Sequence, residues 1–376
     1  MLTCSQRSFC NGDDVPARSL TTLTSLALTM LIGLCDLPAL GAEPKAKAKL
    51  DISEARGPEG EVGKLSGITL ASADLASIKL FYEDGLKLAL EGPLELPPGT
   101  RDAQRALWMA PAELQWDEYR LTRVGQQDTP SIRVLLLKQS TPSTLSSWNA
   151  LQEGPFAIGF PNANQAELDA RMRKLGFGAQ ATMQSYPVTR ADGLKYQVKE
   201  TIFNGPDFVK GVGIEREASV PPLAPIDSES GLGGPGYSSL VVRDAEVMLK
   251  FFTEVLDWEV RADRVWKTSG ALGAPVGTEY RFLILYAKGS THGHVLMLEF
   301  KQVDIQKLVQ PPRLPQRGIV LWTMKVADMA QTLQRARAAK HAVIGPKSID
   351  LPGFGPRQVA TVEAPNGMLI ELISGL

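Results

Sequence analysis

The sequence predicts an α+β fold assembled from four βαβββ modules, and three observations carry that expectation. The chain repeats itself: residues 65–74 followed by Phe81-Tyr82 match residues 235–244 followed by Phe251-Phe252 at an offset of 170, and residues 134–139 match 297–302 at an offset of 163. Residues 156–176 of the first copy match 319–340 of the second at about the same shift, so several matches fall in one order, and within each copy the strand–helix–strands pattern occurs twice. Short runs of alternating apolar residues between Gly, Pro and Asn turns read as strands, and a single stretch of helical spacing interrupts each half.

At the N-terminus, Arg18 precedes a 15-residue apolar run from Leu20 to Leu34, followed by Pro38 and the small residues Gly41 and Ala42. A spanning helix needs about 20 apolar residues, so this run predicts a signal peptide, residues 1–42, and an exported, periplasmic or secreted protein without a membrane span. Cys4, Cys10 and Cys35 all fall within that leader, which leaves the mature chain without thiols or disulfides. Residues 43–63, beginning with Lys45, Lys47 and Lys49, are expected to be flexible.

The first copy is expected over residues 64–218 and the second over 236–376, with 219–235 as a Pro/Gly-rich linker. In the second copy residues 238–242 form a strand, and Asp244 is a candidate N-cap for a helix carrying Val247, Phe251 and Val255 at helical spacing. Strands follow at 258–262, 279–287 and 294–303. The last half repeats the pattern with a strand at 318–326, a helix at 328–341 and strands at 344–351, 358–363 and 368–373. The Pro365-Asn366-Gly367 turn feeds the closing strand, because Asn and Gly tolerate positive φ. The aromatics Phe81, Tyr82, Phe251 and Phe252 are expected in the core.

In that closing strand Glu371 shares a face with Leu369, and a carboxylate on a buried strand requires a partner. The Asn-Gly turn, the Glu-bearing last strand and the repeated βαβββ order resemble the vicinal-oxygen-chelate superfamily of glyoxalase I, bleomycin-resistance proteins and extradiol dioxygenases. The resemblance implies modules paired into two cupped mixed-sheet domains, the first copy degenerate. It also implies a metal site with one ligand from the first and last strands of each module. Carried over, the ligand pocket is Tyr237, Glu299, Leu321 and Glu371, and its counterparts in the first copy are Gly67, Leu136, Ala157 and Val212. Leu321 cannot ligate, and neutral tyrosine ligates transition metals poorly.

Only three histidines exist. His292 lies in a turn, His294 faces away from Glu299 on a regular strand, and His341 ends a helix where surface exposure is expected. No transition-metal cofactor is therefore expected, with a weak divalent cation on Glu299 and Glu371 as the remaining metal candidate. Alternatively these two carboxylates act as a general acid/base pair, or each is satisfied by a neighbour such as Arg281. A net charge of -1 gives no field for nucleic acid. The glycines at 231–236 lack a following helix and a P-loop lysine, and residues 353–356 suggest a loop able to cover a pocket. The expectation is an exported binder of a small molecule. The alternative is a lyase, isomerase or dioxygenase-type enzyme of the same superfamily using Glu299 and Glu371.

Overall fold

Four short helices begin on the same device. Asp74, Asn164, Asp244 and Asp328 each accept a hydrogen bond from the backbone N–H three residues on, which satisfies a donor that the helix cannot. Each follows the first strand of a module, so capping chemistry recurs with the repeat.

The computed structural model describes residues 57–148, 151–178, 183–190, 193–268, 273–352 and 355–375. The expected leader and most of the flexible segment after it lie outside these residues, as do Gly353 and Phe354 of the expected covering loop. The first module comprises β1 (Val62–Ser72), α1 (Leu75–Ile78), β2 (Ala89–Glu91), α2 (Thr100–Leu107), β3 (Trp116–Thr122) and β4 (Ser131–Leu137). The second comprises β5 (Gly154–Pro161), α3 (Gln165–Lys174), β6 (Gln184–Thr189), β7 (Lys195–Asn204) and β8 (Lys210–Arg216). The third is β9 (Tyr237–Val241), α4 (Ala245–Lys250), β10 (Trp258–Lys267), β11 (Glu279–Ala287) and β12 (His294–Phe300). The fourth is β13 (Gly318–Val326), α5 (Met329–Ala338), β14 (Val343–Leu351), β15 (Gly355–Glu363) and β16 (Leu369–Ser374). The four-module α+β architecture holds, with α2 as an unanticipated insertion in the first module.

The modules pair into two eight-stranded, curled mixed sheets, but not copy by copy. One sheet runs β14-β15-β16-β13-β1-β4-β3-β2 and the other β10-β11-β12-β9-β5-β8-β7-β6. Module one therefore pairs with module four, and module two with module three, which corrects the expectation that 64–218 and 236–376 each close on themselves. The physical reason is that similar modules present similar edges. The β1–β13 and β5–β9 junctions are both antiparallel, and the repeat alone cannot say which edges meet. The expected linker is also built into the fold. Val220, Leu223, Ala224 and Leu232 are buried, and the N–H groups of Gly233 and Gly236 donate to the carbonyls of Pro161 and Gly159 at 2.7 and 2.8 Å.

Alternation along the strands divides the core in three. The convex faces and helices α1, α3, α4 and α5 share one continuous cluster, including Phe81, Tyr82, Phe251 and Phe252 as expected. Each concave face carries a cluster of its own, and these two cups contain the chemistry.

Candidate functional site

The cup of the first sheet is largely filled. Helix α2 lowers Leu107 and Trp108 onto concave-face residues that include Ala71, Leu135, Leu321 and Leu369, and the open space beside it is about 10 Å³, enough for one water. At its centre lies Glu371, fully buried. Its carboxylate accepts from the Trp108 indole N–H at 2.8 Å, from the Thr323 hydroxyl at 2.8 Å, and from both terminal nitrogens of Arg133 at 3.2 Å. The Arg133 guanidinium also meets Glu118 at 3.4 Å and lies 5.0 Å from the Trp108 ring centre. Gln104 of α2 donates to Glu118 at 3.1 Å. Burial works against the charged form of Arg133, but Glu371 and Glu118 outweigh it and raise its pKa. Burial likewise raises the Glu118 pKa, opposed by Arg133 and Gln104.

The cup of the second sheet is lined by aromatic rings. Phe156, Tyr196, Tyr237, Tyr280 and Phe300 are buried in its cluster, while Tyr186, Trp266 and Phe282 pack against it half-buried. A cross-strand row runs over its floor: Arg261 lies 4.0 Å from the centre of the Tyr286 ring, which stacks on His294 at 4.5 Å, which stacks on Tyr237 at 4.8 Å. Tyr237 lies across Gly159 on the adjoining strand. A Cβ at Gly159 would come within 1.9 Å of the ring, so only glycine admits the row. Burial lowers the His294 pKa to about 3, with Arg261 adding to the effect, so the imidazole is neutral.

On the opposite wall Glu200 follows Val198 on the concave face of β7, and the Tyr186 hydroxyl donates to it at 3.3 Å. Burial raises its pKa to about 7, the Tyr186 hydrogen bond opposing. Burial also raises the pKa values of Tyr186, Tyr237 and Tyr280, with the Glu200 charge acting on all three.

These positions do not fit a transition metal. The first and last strands of paired modules set Ser131, Gly67, Thr323 and Glu371 in one row of the first cup, where the carboxylate is committed to Arg133, Trp108 and Thr323. The corresponding row of the second cup is Val212, Gly159, Tyr237 and His294, with the two ring donors stacked face to face rather than converging on a point.

The expected four-residue pocket is not brought together. Glu371 and Leu321 belong to the first cup, and Tyr237 to the second. Glu299 points to the other face of β12, where it accepts from the Ala245 N–H at 3.4 Å and from Lys301 at 2.5 Å. Glu299 and Glu371 therefore form neither a cation site nor an acid/base pair. Arg281 serves neither of them; it binds Asp263 and Glu246. His341 is not a free surface cation: it packs on Phe251 at 4.9 Å, and burial lowers its pKa. His292 joins Lys64 at 2.8 Å and the Asp128 carbonyl at 2.9 Å, a contact between modules one and three.

Arg133, Glu118, Trp108 and Glu200 escaped the sequence reading. Matching by repeat offset selected Leu136, which faces the convex side, whereas alternation through Leu135 and Leu137 puts Arg133 on the concave face. Glu200 was legible as a carboxylate in phase with Tyr196, Val198 and Ile202.

Residues 234–372 match the Glyoxalase/Bleomycin resistance protein/Dioxygenase superfamily. Among solved structures the chain is similar to a point mutant of glyoxalase I from Zea mays, at a TM-score of 0.56 and 14% identity over 83% of this chain and 92% of that one. It is similar to glyoxalase I from Zea mays itself at a TM-score of 0.55 and 12% identity, over 83% and 92% of the two chains. At these identities the likeness is one of fold. No curated protein sequence matches it.

Proposed function

We propose, from the premise that this chain belongs to the glyoxalase/bleomycin-resistance/dioxygenase superfamily through residues 234–372, that it binds a small molecule in the cup of its second sheet without a transition metal. The observation that carries this reading is the contrast between the cups. The first is plugged by α2 and filled by the Glu118–Arg133–Glu371 cluster, whereas the second leaves Tyr186, Trp266 and Phe282 half-buried on the face that also carries Glu200. An apolar hollow with few polar groups is the usual form of a ligand site. The first cup is read as a structural copy whose central cation is a guanidinium. The protein is read as exported, on the 15-residue apolar run and the small residues after Pro38.

A neutral solvatochromic dye such as Nile red tests the site. Its fluorescence should rise with the wild-type protein and be lost in Leu296→Trp, which adds bulk to the wall of the second cup. Undiminished binding by that variant would move the site elsewhere. A catalytic form of the same reading is favoured by one group, Glu200, whose raised pKa suits proton transfer near neutrality. It replaces Glu299 and Glu371 in that role.

A further inference from the structure

Five strands of the second sheet bring one carboxyl and several aromatic rings to a common concave face. Glu200 reaches in from β7, and its hydrogen-bond partner among the described residues is the Tyr186 hydroxyl of β6. Tyr237 of β9 and Tyr280 of β11 stand within electrostatic reach of the same carboxyl. Trp266 and Phe282 stack in parallel at 5.0 Å on the wall formed by β10 and β11. Among the described residues, no Lys, Arg or His shifts the titration of Glu200. The cations of this sheet are engaged elsewhere. Arg216 donates to the Tyr196 hydroxyl and the Pro221 carbonyl, and Arg261 to Glu259 and the Ser290 carbonyl. Lys210 on β8 is buried.

We propose that this concave face takes a small organic cation, a quaternary or protonated amine, with Glu200 as counter-ion and Tyr186, Tyr237, Tyr280 and Trp266 as the aromatic enclosure. The assignment rests on the second cup being the ligand site. Glu200 is half-buried; a carboxylate partly withdrawn from water without a cation is unfavourable, and a cationic ligand supplies the missing charge. Aromatic faces carry negative potential, so the surrounding rings attract the same ligand and disfavour an anion. A neutral ligand would leave the carboxylate as it stands.

Proton linkage gives the signature. The cation binds the ionised form of Glu200, which in the empty cup is the minor form below about pH 7. Affinity for a permanently charged probe should therefore rise about tenfold between pH 6 and pH 8. A neutral ligand accepting a hydrogen bond from protonated Glu200 would show the reverse trend. Lys210, which burial lowers to about 8, also titrates near this window, so the Glu200→Gln profile is the necessary control.

Calorimetry with benzyltrimethylammonium and its neutral isostere neopentylbenzene, on the mature chain, tests the assignment. The cation is expected to bind at least tenfold tighter than the isostere at pH 8, and Glu200→Gln to lose both that preference and the pH dependence. Equal binding of the two probes, or a cation affinity unchanged in Glu200→Gln, overturns the cation assignment and leaves the cup as a neutral site. If Nile red binds in the cup but neither probe does, the cation assignment alone fails. If the dye fails as well, the cup reading falls with it.

Discussion

Arg133 balances two buried carboxylates, and its removal would leave both uncompensated. Arg133→Met is expected to destabilise the protein by about 3–5 kcal/mol. Glu371→Gln should fall at the lower end of that range, because Glu118 keeps the guanidinium paired. Glu299→Gln should cost less than about 1 kcal/mol, since its Lys301 partner is largely solvated. Denaturant titration of the three variants checks the order, and a Glu371→Gln protein as stable as the parent would contradict the buried ion cluster. At Glu200 the folded chain keeps, between about pH 4.5 and 7, a proton that the unfolded chain has released, so stability drains as pH rises through that window. His294 works in the opposite sense: it titrates near 3 when folded and 6.5 when unfolded, so its contribution drains as pH falls below about 6.5. The melting-temperature advantage of Glu200→Gln over wild type is therefore expected to grow from pH 5 to pH 8. A constant difference would mean that the carboxyl is ionised throughout.

The element that most changes the functional reading is α2. It has no side-chain N-cap, since Gly99 holds that position, and its place is fixed by what it inserts: Gln104 to Glu118, Leu107 into the apolar cluster and Trp108 to Glu371. Trp108→Ala is expected to cost about 3–5 kcal/mol through cavity formation and to raise amide exchange across α2 more than across α5. Equal exchange in the two helices would show that the plug is held by other contacts. The remaining elements followed sequence signals closely, because capping residues and apolar alternation act locally. β11 and β13 have the expected bounds, whereas β10 continues to Lys267, its exposed Asp263 and Arg264 having concealed it. At the closing turn Gly367 alone takes positive φ, while Asn366 accepts a hydrogen bond from the Met368 N–H at 3.2 Å.

At the scale of the whole molecule, the crossed pairing of modules makes the copies interdependent. A fragment comprising residues 236–376 would expose the edge of β13 that pairs with β1 and the edge of β9 that pairs with β5. It is expected to dimerise or aggregate, whereas a cut within 219–235 of the full chain should leave the halves associated. Light scattering of the fragment and gel filtration of the nicked protein check both outcomes, and a folded monomeric fragment would overturn the crossed topology. If the chain is exported as proposed, mass spectrometry of the protein isolated from expressing cells and their medium is expected to find a mature N-terminus near Gly41 or Ala42, and a chain beginning at Met1 would refute export.

The sequence by itself determined the modules: their number, their order, their caps, and the presence of a carboxylate on the last buried strand. Those properties follow from local propensity and from periodicity along one segment. Only the tertiary structure decided which module met which, and through that which residues share a cup. Arg133 and Glu371 are 238 positions apart, and Glu200 meets its tyrosines across four strands. Because side-chain direction alternates at every residue, Glu299 and its counterpart Leu136 both face the convex side, so a site built on them missed Arg133, which shares the concave face with Leu135 and Leu137. The arginine at the centre of one cup and the carboxyl on the wall of the other were therefore set by strand pairing.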